Sequence, residues 1–501
     1  MSFTQNRIMD CVAAISGILF CLAFAPFNYA YLSLVALALL FISWYGVSAK
    51  RALLRGYLFG LGLFGLGISW VYISVHDFGG GGLIGSGLLT VLVVAFWAIF
   101  PALAGAISAT IPANKPWLWI MHCALLWVLA EYLRGYLVLN GFPWFLSAYS
   151  QLDTPLSGYI PILGAYGSGF LLALSASGIA GMILFKKHVA VLITILIGIW
   201  LGGGLLQRHN WTTPIGRPFQ VSMIQGNISQ DQKWRPENRL NTLLTYKSLT
   251  EAHWDSQVII WPESAIPAYL DEVYENFLLP LHDAAKQQQR DLIISVPIHD
   301  QVQDKKYNAV ITLGNSAGSY RKNHLLPFGE YLPLQPLSGL VLRLFNMRLG
   351  NFQPGGDQQP LLQAGGYPFS TSICYEDAFG IKIPANAAYL VNVTNDAWFG
   401  DSIEPHQHLQ IARMRALESG RFLLRATNTG ITAIIAADGQ VVQQAPLFTT
   451  TVLTGTVNAM TGSTPYSKLG DNLIVLSLAM VYLCLLSYQL FSHYPTKRPT
   501  T

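Results

Sequence analysis

Eight long apolar stretches constrain the fold of this chain more than any other feature of its sequence. A bilayer core about 30 Å thick requires roughly 20 apolar residues in a helix. Only 11% of the residues are charged, whereas soluble proteins average about 25%. The sequence therefore predicts a multi-pass α-helical membrane domain with eight spans. The predicted spans are residues 8–25, 29–47, 54–75, 83–111, 117–139, 159–185, 189–206 and 472–491.

The distribution of lysine and arginine predicts the orientation of these spans, because cytoplasmic loops carry an excess of both. Eight spans leave both termini on one side of the membrane. The short loops on the other side, 26–28, 76–82 and 140–158, contain Asp77 and Asp153 but no Lys or Arg. The terminal side carries Arg7, Lys50, Arg51, Lys115, Lys186, Lys187, Lys497 and Arg498. Both termini are therefore predicted to be cytoplasmic, with the segment between spans seven and eight outside the cytoplasm.

That segment, residues 210–470, is more polar and has a different pattern. Continuous apolar strands alternate with helical stretches, which favours an α/β domain whose sheets are covered. The Gly-, Pro- and Gln-rich residues 350–366 are predicted to be a long loop. Predicted strands are 219–225, 257–261, 291–298, 308–314, 369–374, 389–394, 422–428 and 432–436, and predicted helices are 234–253, 271–289 and 404–419. The predicted domains are 1–209 with seven spans, 210–470 outside the membrane, and 471–501 with the eighth span and a cytoplasmic tail.

Three polar residues stand at the ends of apolar strands in this domain. Glu263 follows VIIW, Lys322 lies in YRKNHLLPFGEYLP, and Cys374 closes STSIC at a predicted strand-to-helix turn. A carboxylate, an amine and a thiol suffice for acyl transfer: the carboxylate takes the thiol proton, the thiolate attacks a carbonyl, and the ammonium stabilises the oxyanion. Taken singly, each has an ordinary alternative, namely a salt-bridge partner, a solvated lysine and a core cysteine.

Other polar residues also allow two interpretations. Glu131 and Arg134 lie three residues apart in the fifth predicted span, where a charge is a functional candidate and a mutually neutralising structural pair is the alternative. His406 and His408 do not share a helix face, and the sequence shows no third ligand nearby, so no metal site is predicted. The net charge of +4 is too small and dispersed to predict nucleic-acid binding.

The motifs around the three residues resemble the nitrilase superfamily of carbon–nitrogen hydrolases, with its Glu-Lys-Cys triad. They are WPES at Glu263, KNHLLPFGEYLP beginning at Lys322, and ICYED around Cys374, in this order. The flanking segments are similar to one branch, the integral-membrane apolipoprotein N-acyltransferases. These segments are QGNISQDQKW (225–234), VNVTNDAWFG (391–400), HLQIARMRALESGR (408–421), RATNTGIT (425–432) and GFPW (141–144).

The resemblance implies a four-layer αββα catalytic domain that faces the periplasm from the inner membrane of a Gram-negative bacterium. It implies a monomer without cofactor or metal that takes an acyl chain from a phospholipid, typically phosphatidylethanolamine. The chain would pass through a cysteine thioester to the α-amine of an S-diacylglyceryl cysteine of an apolipoprotein. By motif, Glu263 would be the general base, Lys322 the oxyanion donor and Cys374 the nucleophile. Further active-site positions by motif are Glu330, which would hold Lys322, and Trp234, Asn308, Tyr375 and Glu376.

Two other functions fit the same sequence. One is a membrane-tethered nitrilase or amidase that hydrolyses a small amide. The other is a transporter or structural membrane protein with a decayed enzyme domain, which the intact motifs disfavour. Residues 334–352 are predicted to be a membrane-dipping arm with an apolar face and two arginines, and a core helix of the domain is the alternative.

Overall fold

The computed structural model describes residues 3–110, 115–333, 339, 351–380, 383–384 and 386–492. The chain divides into two compact units, of which the first comprises Met1–Leu66, Val94–Arg208 and Leu469–Thr501. The second comprises Gly67–Val93 and His209–Lys468. The arm predicted at 334–352 lies outside the described residues, except for residues 339, 351 and 352.

Each predicted span contains helical structure. Among the described residues, five helices are long and apolar enough to cross a membrane, and the bent pair Ala49–Gly67 and Val71–Phe78 would be a sixth. Tyr31–Trp44 has 14 residues, about 21 Å at 1.5 Å per residue, which is shorter than a bilayer core. The eight spans therefore remain a prediction. The α-helices are Phe3–Cys21, Tyr31–Trp44, Ala49–Gly67, Val71–Ile73, Gly82–Trp97, Ile99–Thr110, Pro116–Tyr132, Ile160–Leu184, Val189–Leu206 and Pro465–Ser492.

Short helices of other types interrupt these α-helices. Ser74–Phe78 and Leu133–Leu137 are π-helical, and Ser147–Gln151, Pro155–Tyr159 and Lys186–His188 are 3₁₀-helical. Glycine allows the helix Ala49–Gly67 to approach its neighbours closely: a Cβ at Gly62 would lie 2.4 Å from the carbonyl oxygen of Ala14, and one at Gly60 would lie 2.6 Å from Cα of Ala98.

Glu131 and Arg134 both bind the loop that follows their helix. Glu131 Oε1 accepts hydrogen bonds from the backbone N–H and the hydroxyl of Ser147, at 2.9 and 2.7 Å. Arg134 donates to the carbonyl oxygens of Phe142 and Trp144, at 2.5 Å each. Both side chains are buried. These contacts support a structural role for the two charges, since each satisfies backbone groups of the same buried loop.

Residues 67–93, which the sequence assigns to the transmembrane domain, belong to the second unit. The contacts of Gln407 explain the difference: its side chain accepts a hydrogen bond from Trp70 Nε1 and donates to the carbonyl of Gly67, both at 3.1 Å. Aromatic pairs add to this packing, because Trp70 contacts Phe399 at 4.8 Å between ring centroids. The apolar composition of residues 67–93 indicates a membrane span, but composition alone does not show that these residues make polar contacts with the helix of Gln407.

The described strands of the second unit are β1 (Thr212–Gln225), β2 (Val258–Ile260), β3 (Asp291–Ser295), β4 (Ile298–Asp300), β5 (Lys305–Tyr307), β6 (Ala309–Gly314), β7 (Gly318–Arg321), β8 (Leu362–Ala364), β9 (Tyr367–Ile373), β10 (Tyr389–Thr394), β11 (Leu423–Thr427), β12 (Ala433–Ile435), β13 (Val441–Gln444) and β14 (Thr451–Gly462). These strands form two six-stranded sheets and a two-stranded ribbon of β4 and β5. The first sheet has the strand order β14-β1-β2-β3-β6-β7 and the second β13-β12-β11-β10-β9-β8.

The helices of this unit cover the outer faces of both sheets. Leu243 and Leu281 pack against the outer face of the first sheet, and Leu409 packs against that of the second. A third apolar core lies between the sheets, where Val258 and Ile260 of β2 meet residues of β9 to β11. The result is the four-layer αββα arrangement that the family resemblance implies. The helices are Gln230–Lys233, Pro236–Glu251, Leu270–Val273, Tyr274–Leu278 (π), Leu279–Gln287 and Glu404–Ser419, with 3₁₀ turns at Cys374–Ala378 and Asp396–Phe399.

All eight predicted strands overlap strands of the structure, but the prediction of a loop throughout 350–366 is wrong. Leu362–Ala364 forms β8, which pairs antiparallel with β9 through Ala364 and Tyr367. Gly365 and Gly366 between them both have positive φ angles, which are the backbone angles required by a two-residue hairpin turn. The glycine pair therefore closes a hairpin, although the composition resembles that of a flexible connector.

Candidate active site

The topology of the first sheet gathers three of the predicted site residues at one edge. Strand β2 is parallel to β3, and β6 is antiparallel to β3 and to β7. The carboxyl ends of β2 and β7 and the amino end of β6 therefore share an edge. Glu263 follows β2, Lys322 directly follows β7, and Asn308 directly precedes β6. A backbone hydrogen bond of 2.7 Å from Lys322 to Asn308 joins two of these segments.

Hydrogen bonds connect the side chains at this edge into one buried group. The amide nitrogen of Asn308 donates to Oε1 of Glu263 at 2.8 Å and to Oε1 of Glu330 at 3.1 Å. Nζ of Lys322 lies 2.9 Å from Oε1 and 2.8 Å from Oε2 of Glu330. All four residues are buried. One amide thus orients two carboxylates, and one of these carboxylates holds the lysine.

Burial and charge act in opposite directions on the protonation of this group. Burial by itself lowers the pKa of Lys322, but the negative charges of Glu330 and Glu263 outweigh it and raise the pKa above its ordinary value. The amine is therefore a cation at neutral pH. Burial raises the pKa of Glu263, the charge of Lys322 opposes that rise, and the charge of Glu330 adds to it. A carboxyl group with a raised pKa is a stronger base than an ordinary carboxylate, which suits it to accept and return a proton.

Cys374 lies at the carboxyl end of β9, on the first residue of the 3₁₀ turn Cys374–Ala378. Its φ angle is +51°, a left-handed conformation that residues other than glycine rarely adopt. The residue as a whole is partly exposed, but its thiol lies in buried surroundings. Burial and the charge of Glu263 raise the pKa of the Cys374 thiol to about 12, and the charge of Lys322 opposes that rise. The thiol is therefore protonated at rest and needs a base before it can act as a nucleophile.

Glu376 connects the turn of Cys374 to the segment of Lys322. One carboxylate oxygen accepts from the backbone N–H groups of Asn323 and His324, at 2.7 and 2.9 Å. The other accepts from the backbone N–H of Ile373 at 2.8 Å. The hydroxyl of Tyr320 donates to both oxygens, at 3.0 and 3.2 Å. The buried carboxylate of Glu376 therefore holds residues next to Cys374 and residues next to Lys322, although these two segments belong to different sheets.

The remaining residues that the sequence indicates occupy different positions around this group. Tyr375 is buried beside Cys374, with its ring 5.2 Å from that of Phe379. Trp234 ends the short helix Gln230–Lys233 and is half exposed, so it is a surface aromatic rather than a core residue.

Lys233 is a site residue that the sequence reasoning missed, although it lies in the QGNISQDQKW motif. It is buried, and its Nζ donates to the backbone carbonyl of Glu263 at 3.1 Å. Burial lowers the pKa of Lys233 to about 8, and the charge of Glu263 opposes that fall. The sequence did contain a signal for Lys233, because this lysine lies next to Trp234 in a motif that was already expected to contribute a site residue.

A second buried polar cluster lies on the other side of the Cys374 turn, around His408. Ligand atoms of Asp396, Glu404 and His408 lie within 4.8 Å of one another, so the expectation that His408 has no third ligand nearby was wrong. The sequence contained a signal, because Glu404 and His408 are four residues apart on one helix face. Asp396 follows β10 at the same sheet edge as Cys374, since β9 and β10 are parallel.

The partners of His408 favour an ion network over a metal site. Its Nε2 lies 2.9 Å from Asp377, its Nδ1 lies 3.0 Å from Asp396, and Arg425 lies 3.0 Å from the other oxygen of Asp396. Burial and Arg425 lower the pKa of His408, but Asp377 and Asp396 raise it well above its ordinary value. A doubly protonated imidazole has no lone pair for a metal ion. The cluster therefore fits paired charges better than a ligand set.

The arrangement can perform nucleophilic acyl chemistry. The thiol of Cys374 lies within electrostatic reach of a carboxylate that can take its proton and of an ammonium group that can stabilise an oxyanion. These are the three components that acyl transfer through a covalent intermediate requires.

Two segments of the chain match families of known proteins. The model described as "Apolipoprotein N-acyltransferase N-terminal domain" matches residues 16–178, and the model described as "Carbon-nitrogen hydrolase" matches residues 220–466. "Apolipoprotein N-acyltransferase" of Methylococcus capsulatus is 46% identical over 92% of both chains, and that of Nitrosomonas europaea is 42% identical over 94% of both. Nit3 of Saccharomyces cerevisiae, a solved structure, covers 57% of this chain and 97% of its own, at 14% identity and a TM-score of 0.37. The likeness to the two bacterial relatives thus extends over almost the entire chain.

Proposed function

The chain belongs to the apolipoprotein N-acyltransferase family, and from that membership we propose that it acylates lipoproteins. It transfers an acyl chain from a phospholipid, typically phosphatidylethanolamine, to the α-amine of an S-diacylglyceryl cysteine at the start of an apolipoprotein. The observation that carries the proposal is the match to apolipoprotein N-acyltransferases over more than nine-tenths of the chain. The carboxylate, amine and thiol at one site support the same chemistry.

In the first half-reaction, Glu263 takes the proton of the Cys374 thiol and the thiolate attacks the ester carbonyl of the phospholipid. The ammonium group of Lys322, held by Glu330, stabilises the negative charge that develops on the carbonyl oxygen. An oxyanion donor of this kind typically contributes roughly 3–4 kcal/mol to transition-state stabilisation. The tetrahedral intermediate then breaks its ester C–O bond. The leaving alkoxide takes the proton from Glu263, so that lysophospholipid departs and an acyl thioester remains.

In the second half-reaction, the lipoprotein amine attacks the thioester carbonyl while Glu263 takes a proton from the nitrogen. The C–S bond breaks, and the departing thiolate recovers its proton from Glu263. An amide forms, and the enzyme returns to its starting state. Both substrates carry large apolar chains, and a covalent intermediate allows them to use the same site one after the other. Ping-pong kinetics are therefore part of the proposal.

The thioester must resist water for this sequence to work. An acyl chain buried in an apolar environment stabilises the loaded state by roughly 0.8 kcal/mol per CH₂ group and excludes solvent from the thioester. The proposal places the chain in the inner membrane as a monomer with eight spans and the catalytic domain in the periplasm. The excess of lysine and arginine on one side of the spans supports this orientation.

Mass spectrometry of the intact, full-length protein tests the proposal. After incubation with phosphatidylethanolamine, the protein should gain the mass of one acyl chain, on the peptide that contains Cys374. Adding a diacylglyceryl-cysteine peptide should remove the adduct and produce an N-acylated peptide. A protein that hydrolyses small amides and never carries a long acyl chain would instead support the alternative, a membrane-tethered nitrilase or amidase.

A further inference from the structure

The turn that carries Cys374 has a backbone conformation that needs external support. The φ angle of this residue is +51°, which is sparsely populated by residues other than glycine, and such conformations persist only where surrounding contacts over-determine them. The contacts of Glu376 hold the segment that enters the turn. The contacts on the opposite side of the turn come from a different set of residues.

These contacts begin at Asp377, three residues after Cys374. Its Oδ1 accepts from Nε2 of His408 at 2.9 Å, and its Oδ2 lies 3.4 Å from NH1 of Arg425. Asp396 connects His408 and Arg425. One of its carboxylate oxygens lies 3.0 Å from Nδ1 of His408, and the other lies 3.0 Å from NH2 of Arg425. The four side chains form a closed ring of alternating charge.

The same ring has a second connection to Cys374 itself. NH1 of Arg425 donates to Oδ1 of Asn392 at 2.7 Å. The amide nitrogen of Asn392 then donates to the carbonyl oxygen of Cys374 at 3.3 Å and to the hydroxyl of Ser372 at 3.0 Å. The backbone of the nucleophile is therefore linked through Asn392 to Arg425, and the end of its turn is held through Asp377.

The ring is too deeply buried to contact a substrate. The side chains of Asp377, His408, Asp396 and Arg425 are at most 2% exposed. The charged groups that face His408 are Asp377, Asp396, Glu404 and Arg425. Burial and the charge of Asp396 raise the pKa of Glu404, which favours its neutral form. With Glu404 neutral, two cations balance two carboxylates, as a buried network requires.

We propose that Asp377, His408 and Arg425 are positioning residues that hold the turn of Cys374 in its reactive geometry. They act on the thiol indirectly, through the contacts of Asp377 and Asn392 with the turn, and do not touch the acyl chain. The inference rests on the proposed function only in that Cys374 is the nucleophile. It does not depend on which donor or acceptor the enzyme uses.

The test measures how fast iodoacetamide alkylates Cys374 in the full-length protein in detergent, without any substrate. Peptide mass spectrometry separates Cys374 from the other cysteines. His408→Gln should slow alkylation by about tenfold, because it removes the support of the turn and also a positive charge that lowers the pKa of the Cys374 thiol. His406→Gln on the same helix is the matched control, because His406 lies outside the ring, and it should alkylate at the wild-type rate.

A second readout separates positioning from loss of structure. His408→Gln should lower the thermal midpoint, because it removes one of the two cations of a buried network. In the protein that remains folded, the KM for phosphatidylethanolamine should stay close to wild type, while the rate of thioester formation falls with the rate of alkylation. The isosteric Asp377→Asn separates support of the turn from charge, and it also decides if His408→Gln does not fold. It removes a negative charge, which by itself favours the thiolate, so the several-fold slower alkylation that we expect would come from lost support of the turn. Wild-type alkylation in a folded His408→Gln or Asp377→Asn variant would overturn the proposal. So would slower alkylation of the wild-type protein after removal of metal with EDTA.

The same data keep this inference apart from the proposed function. Slow alkylation in His408→Gln, together with a wild-type protein that never acylates a lipoprotein peptide, would support the positioning residues and reject the acyltransferase. If His408→Gln is alkylated at the wild-type rate and the wild-type enzyme acylates the lipoprotein peptide normally, the data would reject the positioning residues and support the acyltransferase.

Discussion

Lys322 and Glu330 form a buried ion pair in which Nζ lies 2.9 Å from one carboxylate oxygen and 2.8 Å from the other. The charge of Glu263, the proposed base, also raises the pKa of Lys322. Glu330 therefore determines where the ammonium group points: with Glu330 in place, Lys322 is held without having to pair with the proposed base. A charged partner is essential for such a role, since a neutral amide attracts an ammonium group more weakly.

Glu330→Gln should slow thioester formation by about 100-fold, comparable to the loss of one oxyanion donor. The amide keeps the shape of the side chain but removes its charge, so Lys322 is expected to turn towards Glu263 and disable both groups. Single-turnover release of lysophospholipid measures the effect. Glu272→Gln, which removes a surface partner of Arg239, is the control. A Glu330→Gln rate above half of the wild-type rate would contradict the proposed role.

Lys233 should influence the position of the acid limb of the pH profile. Glu263 acts as a base only when ionised, so the rate of thioester formation should rise with pH through the pKa of Glu263, which lies above its ordinary value. The charge of Lys233 lowers that pKa, and Lys233→Met should therefore shift the acid limb to higher pH. Lys247→Met is the control, because the side chain of Lys247 is exposed, and it should leave the pH profile unchanged. A shift to lower pH in Lys233→Met would reverse the sign of this electrostatic account.

Arg134 should matter for stability and not for thiol chemistry. Arg134→Met leaves the carbonyls of Phe142 and Trp144 without this donor, which should cost about 1–3 kcal/mol for each buried group left unsatisfied. The thermal midpoint in detergent should fall, while the folded variant should alkylate Cys374 at the wild-type rate. Normal stability combined with lost acyl transfer would indicate that the charge has a functional role in the membrane.

The parts of the fold that the sequence predicts well are those with local signals. The run YLVNVT predicts β10 at the bounds that the structure has, because a strand buried on both faces is continuously apolar and β-branched. Strand β14 was not predicted: its segment TVLTGTVNAMTG mixes small and polar residues. Its position depends on antiparallel pairing with β1, more than 200 residues away.

The same distinction applies to the site. Glu263, Lys322 and Cys374 stand where apolar strands end, so a pattern along the chain singles them out. Lys233 acts through a backbone carbonyl of Glu263, and Asp377, Asp396, His408 and Arg425 come together only when parallel strands and a helix are assembled. Such contacts depend on tertiary structure. A single sequence does not show which residues far apart along the chain lie close together in the fold.

Reporter fusions test the orientation of the chain. The loops with lysine and arginine are predicted to be cytoplasmic, so a reporter that is active only in the periplasm should be active when fused after Asn210. The same reporter fused after Lys187 should be silent. A second reporter, active only in the cytoplasm, should give the opposite pattern at both positions. Reversed activities would contradict the predicted topology and the periplasmic location of residues 210–470.

The most direct test of the central claim is the stoichiometry of the first half-reaction. Full-length enzyme incubated with phosphatidylethanolamine alone should release about one equivalent of lysophospholipid in a burst and then stop, because the thioester on Cys374 waits for an amine. A diacylglyceryl-cysteine peptide should restart turnover, and Cys374→Ala should show no burst. Continuous release of fatty acid without any acceptor would contradict the account, since it would identify a hydrolase rather than an acyltransferase.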